Sequence, residues 1–170
     1  MSWTCGLSRR LGVGALAAAF ATVATLASAQ ESPNVKLPTE LAFAGKWTYR
    51  SYVNSADQTV APNDLLFGMA NLVIDERSDG SLTGTIGGNG WQLILTGKVD
   101  YSPGGASVKF QGTGTLAGEQ WVYDYFGYAA PSWDNGIDQV PSVVGTVIRT
   151  APHGGAPAGF SASFIAVKQP

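Results

Sequence analysis

Ser81-Leu82-Thr83-Gly84-Thr85-Ile86-Gly87-Gly88-Asn89-Gly90-Trp91-Gln92-Leu93-Ile94-Leu95-Thr96-Gly97-Lys98-Val99-Asp100 is the stretch on which the fold turns. Side chains of an extended strand alternate between its two faces. Trp91, Leu93, Leu95 and Val99 fall on one face of such a strand, and Gln92, Thr96, Lys98 and Asp100 on the other. Ser81–Ile86 reads as a shorter strand before it. Gly87-Gly88-Asn89-Gly90 turns the chain between the two, because Gly and Asn tolerate the positive φ angles of tight hairpin turns. Ser78-Asp79-Gly80 carries the same signal one strand earlier.

The same alternation extends in both directions. Phe43, Gly45, Trp47, Tyr49, Ser51 and Val53 alternate with Ala44, Lys46, Thr48, Arg50 and Tyr52, the pattern of a half-buried strand. A loop rich in Asn, Asp and Pro covers residues 54–64, and a second strand runs from Leu65 to Glu76. Downstream, Ser102-Pro103-Gly104-Gly105 is a turn, and a fifth strand carries Val108, Phe110, Gly112 and Gly114 on one face. A sixth strand spans Gln120–Tyr128, a long loop Ala129–Pro141, a seventh strand Ser142–Thr150, a Gly/Pro loop 152–157 and an eighth strand Gly159–Lys168. Eight strands joined mostly by short turns predict an all-β fold of antiparallel neighbours. Closure into an up-and-down barrel removes the free edges that invite aggregation; a two-sheet β-sandwich is the alternative. An eight-stranded barrel is just wide enough to be filled or to hold one small ligand.

The first 29 residues read as a secretory signal: Arg9 and Arg10, an apolar run from Leu11 to Leu26, and the small-x-small site Ala27-Ser28-Ala29. Ser8-Arg9-Arg10 admits a twin-arginine variant, but Leu11-Gly12-Val13 favours general secretion. The expected product is periplasmic or secreted, without a stable membrane anchor after cleavage. Residues 30–41 form a polar lead-in and 42–170 a single domain. Cys5, the only cysteine, leaves with the leader, so the mature chain forms no disulfide. Taking Arg9 and Arg10 from ten basic residues leaves eight against twelve acidic ones, a net charge of −4. With no basic run, nucleic acid is excluded as a partner. One histidine and no mature cysteine make a transition-metal site improbable, and no phosphate loop, nucleophile elbow or other cofactor motif is present.

Gly45-Lys46-Trp47, Asp79-Gly80-Ser81-Leu82-Thr83-Gly84-Thr85 and Leu95-Thr96-Gly97-Lys98-Val99-Asp100-Tyr101-Ser102-Pro103 stand in an order that resembles avidin- and streptavidin-like, calycin-type barrels, over about residues 45–128. The resemblance implies the barrel, with pairing into homo-oligomers left open. It does not imply biotin. The family's ureido-binding Asn and Ser match Tyr49 and Val53, and its next Tyr and Ser match Ile86 and Gly88. Family pocket aromatics correspond to Trp121 and Phe110, and the hydroxyls near them to Ala117 and Glu119.

Trp121-Val122-Tyr123-Asp124-Tyr125-Phe126-Gly127-Tyr128 is the densest aromatic segment. Trp121, Tyr123 and Tyr125 share one face and read either as a stacking wall for a ligand or as core. Trp47, Tyr49, Trp91 and Phe110 join them as candidate pocket residues, and Trp133 in the long loop as a candidate lid. Asp134, Asn135 and Asp138 of that loop match no calcium-binding spacing. His153, after Arg149 and before Gly154-Gly155, reads as a solvated loop residue or, less simply, as an acid/base at a barrel mouth. The leading expectation is a carrier of a small apolar or aromatic ligand. A barrel enzyme of the cyclase or isomerase kind using His153 or Tyr125, and a protein- or glycan-binding module, are the alternatives.

Overall fold

A computed structural model describes residues 43–102, 105–131 and 135–170. Eight strands follow one another: β1 Gly45–Tyr52, β2 Leu66–Glu76, β3 Ser81–Gly88, β4 Trp91–Ser102, β5 Gly105–Leu116, β6 Glu119–Ala129, β7 Ser142–Arg149 and β8 Ser161–Lys168. Each pairs antiparallel with its neighbour, and β8 returns to β1, with Trp47 opposite Lys168 and Tyr52 opposite Ser163. That last pairing closes the barrel and excludes the sandwich. The leader and lead-in, residues 1–42, lie outside the described residues.

The end of β3 differs from the expectation at two glycines. Gly87 and Gly88 belong to β3, opposite Gln92 and Trp91, so Asn89-Gly90 alone makes the turn. Gly90 has φ +79°, which a residue with a Cβ rarely adopts. At the β2–β3 turn, Asp79 Oδ1 accepts from the Ser81 N–H at 2.9 Å and from the Ser81 hydroxyl at 2.6 Å. These bonds hold the Asp79 carboxyl below its usual range.

In an up-and-down barrel, successive connections emerge at alternate ends. The β1–β2, β3–β4, β5–β6 and β7–β8 connections surround one end, which we call the mouth. The β2–β3, β4–β5 and β6–β7 connections share the other end with the start of β1 and the finish of β8. The far end is plugged. Phe43 stacks on Trp47 with ring centres 6.1 Å apart, and the Trp47 Nε1–H donates to the Phe43 carbonyl at 2.9 Å. Glu76 accepts from the Phe43 N–H and from the Tyr101 hydroxyl, both at 2.7 Å. Burial and the Glu76 carboxylate hold the Tyr101 hydroxyl above its ordinary value.

Above the plug lies an aromatic layer. Phe110 stacks on Tyr125 at 4.7 Å, and Tyr49 leans on Phe164 at 5.5 Å and meets Tyr125 edge-on at 6.0 Å. Leu72, Ile86, Leu93 and Val147 fill the wall around it. Gly127 leaves room for the Phe164 ring, which passes 3.0 Å from where its Cβ would stand, and Gly145, its partner on β7, lets the β6 backbone at Phe126 and Gly127 come close.

Candidate functional site

Toward the mouth the packing stops. A cavity of about 330 Å³ opens above the aromatic layer, with Tyr125, Tyr49, Ile86 and Leu93 deep in it and Trp91, Trp121, Tyr123, Phe67, Arg149 and His153 higher up. Its size falls within the usual range of small-molecule sites.

Each strand delivers its part through the two-residue period. On β6, Trp121, Tyr123 and Tyr125 point inward, while Phe126 and Tyr128 lie on the outer wall, Tyr128 with 66% of its surface exposed. On β1, the inward set ends in Ser51, whose exposure is zero. Opposite it on β2, Gly68 has no side chain, and a Cβ there would lie 3.3 Å from Ser51 Oγ. The β1–β2 register slips between Ser51 and Tyr52, so Phe67 becomes the extra residue of a bulge. Phe67 lines the cavity and packs on Phe160 at 5.1 Å.

His153 is not solvated. Its loop folds back over β6, closed by paired backbone bonds between His153 and Ala156 and by the Glu119 carboxylate, which accepts from the Gly154 N–H. The imidazole is 7% exposed and lies flat on Trp121, ring centres 3.9 Å apart and planes 14° from parallel, with Tyr123 edge-on at 5.4 Å. Burial, together with the nearby Arg149 charge, pulls its pKa below the ordinary imidazole value, and Glu119 opposes them. The shift favours the neutral ring. Burial likewise holds the Tyr49 and Tyr125 hydroxyls above their ordinary value. Ser51 offsets this slightly at Tyr49, without meeting hydrogen-bond geometry.

Four buried side-chain polar atoms among the described residues have no hydrogen-bond partner: Ser51 Oγ, Trp121 Nε1, Arg149 Nε and His153 Nε2. All four residues line this one cavity. Buried polar groups are nearly always paired in a folded chain, and each unpaired one costs about 1–3 kcal/mol. Residues from β1, β6, β7 and the β7–β8 loop thus bring these four polar atoms to a single cavity.

No family model, no curated protein and no solved structure matches the chain. The site is therefore read from its own geometry.

Of the residues singled out in sequence, Tyr49, Trp91, Trp121, Tyr123, Tyr125 and His153 meet at the cavity. Trp47 does not: it belongs to the plug at the far end, its indole nitrogen already bonded. Phe110 supports the cavity floor by stacking beneath Tyr125 without lining it. Trp133 lies outside the described residues, but Ala129 and Ser142, the strand ends that bracket its loop, stand at the far end, away from the mouth. Asp124 faces outward to Gln111 at 2.8 Å and is no partner for His153. Ser51, Phe67 and Gly68 were not singled out in sequence. Ser51 carried a signal, being inward in the period of β1; Phe67 carried none, because strict alternation with Gly68, Ala70 and Leu72 inward sends it outward.

Proposed function

We propose that this chain is an exported carrier that takes a small, flat, largely apolar molecule into the mouth of its barrel. The observation that carries the reading is the convergence of all four unpartnered buried polar atoms on one aromatic-walled cavity. A barrel built only to display its loops gains nothing from an unfilled, polar-lined interior. The leader expected from Arg9 to Ala29 supports export, and the order of short motifs supports kinship with avidin-like barrels. The biotin contacts of that family are replaced here by Tyr49, Val53, Ile86 and Gly88.

A second reading rests on His153. A neutral imidazole with an unpartnered Nε2 on a cavity wall is placed to accept or donate a proton, as an isomerase or cyclase requires. Tyr125 is the weaker candidate, because a hydroxyl whose pKa is raised by burial is a poor acid.

The test is titration with the neutral dye N-phenylnaphthylamine, whose fluorescence rises in apolar surroundings. The expected result is saturable one-to-one binding, weakened at least tenfold by Gly68→Leu, which puts a side chain into the cavity beside Ser51. Absence of saturable binding, or binding indifferent to Gly68→Leu in a folded variant, sinks the proposal.

A further inference from the structure

The guanidinium of Arg149 is held in an unusual way for a cation. Its Cζ lies 5.8 Å from the centre of the Phe67 ring and 5.5 Å from that of Phe160. Such stacking fixes the plane of the group. Nη1 donates a long bond, 3.4 Å, to the Pro157 carbonyl. Nε is buried and unpartnered. No carboxylate among the described residues forms an ion pair with Arg149, although an exposed acid is close at hand: Glu119 is engaged with the Gly154 N–H on the β7–β8 loop.

We propose that the cavity's ligand bears a carboxylate, seated on the Nε-bearing edge of Arg149, with the Trp121 indole N–H and His153 Nε2 as the further polar contacts of the rim and the aromatic layer below taking a flat apolar body. This rests on the reading of the cavity as a ligand site and names the chemical class it takes.

Three features select a carboxylate over other acceptors. A guanidinium edge presents two parallel N–H donors, which match the two oxygens of a carboxylate. Arg149 is the one Lys or Arg side chain among the described residues lining the cavity, and one charge suits a monoanion better than a doubly charged phosphate. The bulged Phe67 holds Arg149 over the cavity rather than out in water, where the same charge would be screened.

The experiment compares naphthoate with naphthamide, the same ring system with and without the charge, by isothermal titration calorimetry at pH 7. Naphthoate is expected to bind wild type at least tenfold more tightly. Arg149→Gln is expected to abolish the preference, and Arg149→Lys to restore only part of it, because the point charge returns without the fork. Equal wild-type affinities overturn the carboxylate assignment whether or not the variants fold, and leave the cavity reading standing. A preference that survives Arg149→Gln in a folded protein overturns the role of Arg149. Binding of N-phenylnaphthylamine with neither naphthyl compound overturns this inference alone; failure of all three overturns the cavity reading with it.

Discussion

Ser51→Ala separates a residue kept for stability from one kept for a ligand. Ser51 is wholly buried, and its hydroxyl has no partner. Its backbone is paired on both sides, with Gly68 on β2 and Phe164 on β8, so the substitution leaves the ladder intact. An unsatisfied buried hydroxyl costs about 1–3 kcal/mol, and about 1.5 kcal/mol is assigned to Ser51. Against this stands the volume of one oxygen, on the order of 15 Å³, worth about 0.4 kcal/mol at about 24 cal/mol per Å³. The variant is therefore expected to be more stable than wild type by about 1 kcal/mol, a rise in Tm of roughly 3–5 °C for a domain of this size. The assay is reversible thermal unfolding followed by far-ultraviolet circular dichroism without ligand, with urea unfolding as the check on ΔG. A fall in Tm of 3 °C or more would refute the reasoning, because it would mean that the hydroxyl has a partner in the free protein.

The remaining predictions concern other parts of the barrel. His153 is the only histidine, so its imidazole C–H resonances can be followed by NMR without ambiguity; they should titrate below the ordinary value of 6.5. Because the unfolded chain takes up that proton more readily than the folded one, stability should fall as pH drops from about 6.5 to the depressed folded value. His153→Phe should remove that slope. Glu76→Ala removes the acceptor shared by Phe43 and Tyr101 and should cost about 2 kcal/mol in urea unfolding; a change below 0.5 kcal/mol would dissolve the plug as a stabilising unit. Gly145→Ala would put a Cβ 1.9 Å from the Phe126 carbonyl oxygen and 2.6 Å from Gly127 Cα. It should cost about 3 kcal/mol or prevent folding, measured by yield of folded protein and urea midpoint.

Much of the barrel was legible because its signals are local. Asp79-Gly80 and Asn89-Gly90 are turn signals within four residues, and the inward face of β6 follows from a period of two. The extra length of β3 was not, because whether Gly87 and Gly88 belong to a turn or a ladder depends on what Trp91 and Gln92 do across from them. Phe67 was hidden by a one-residue slip in register, which reverses the face of a side chain and leaves no trace in composition. The burial of His153 depends on Glu119, 35 residues before Gly154 in sequence, accepting from the Gly154 N–H and holding the β7–β8 loop against β6. The end of the barrel at which Ala129 and Ser142 stand, by contrast, could have been read. Consecutive connections of an up-and-down barrel alternate between its ends, so those two strand ends lie opposite the one that carries the His153 loop.

That alternation has a practical side. β1 enters and β8 leaves at the plugged end, with Trp47 beside Lys168. Anything joined before Phe43 or after Lys168, whether a surface linkage, a fluorescent reporter or a neighbouring protein, therefore attaches at the base and leaves the mouth facing away from it. The barrel can be immobilised by a linkage at the base and still leave its mouth open to solution, and a circular permutant joining the two ends and reopening at Asn89-Gly90 would cut beside the mouth without breaking a strand.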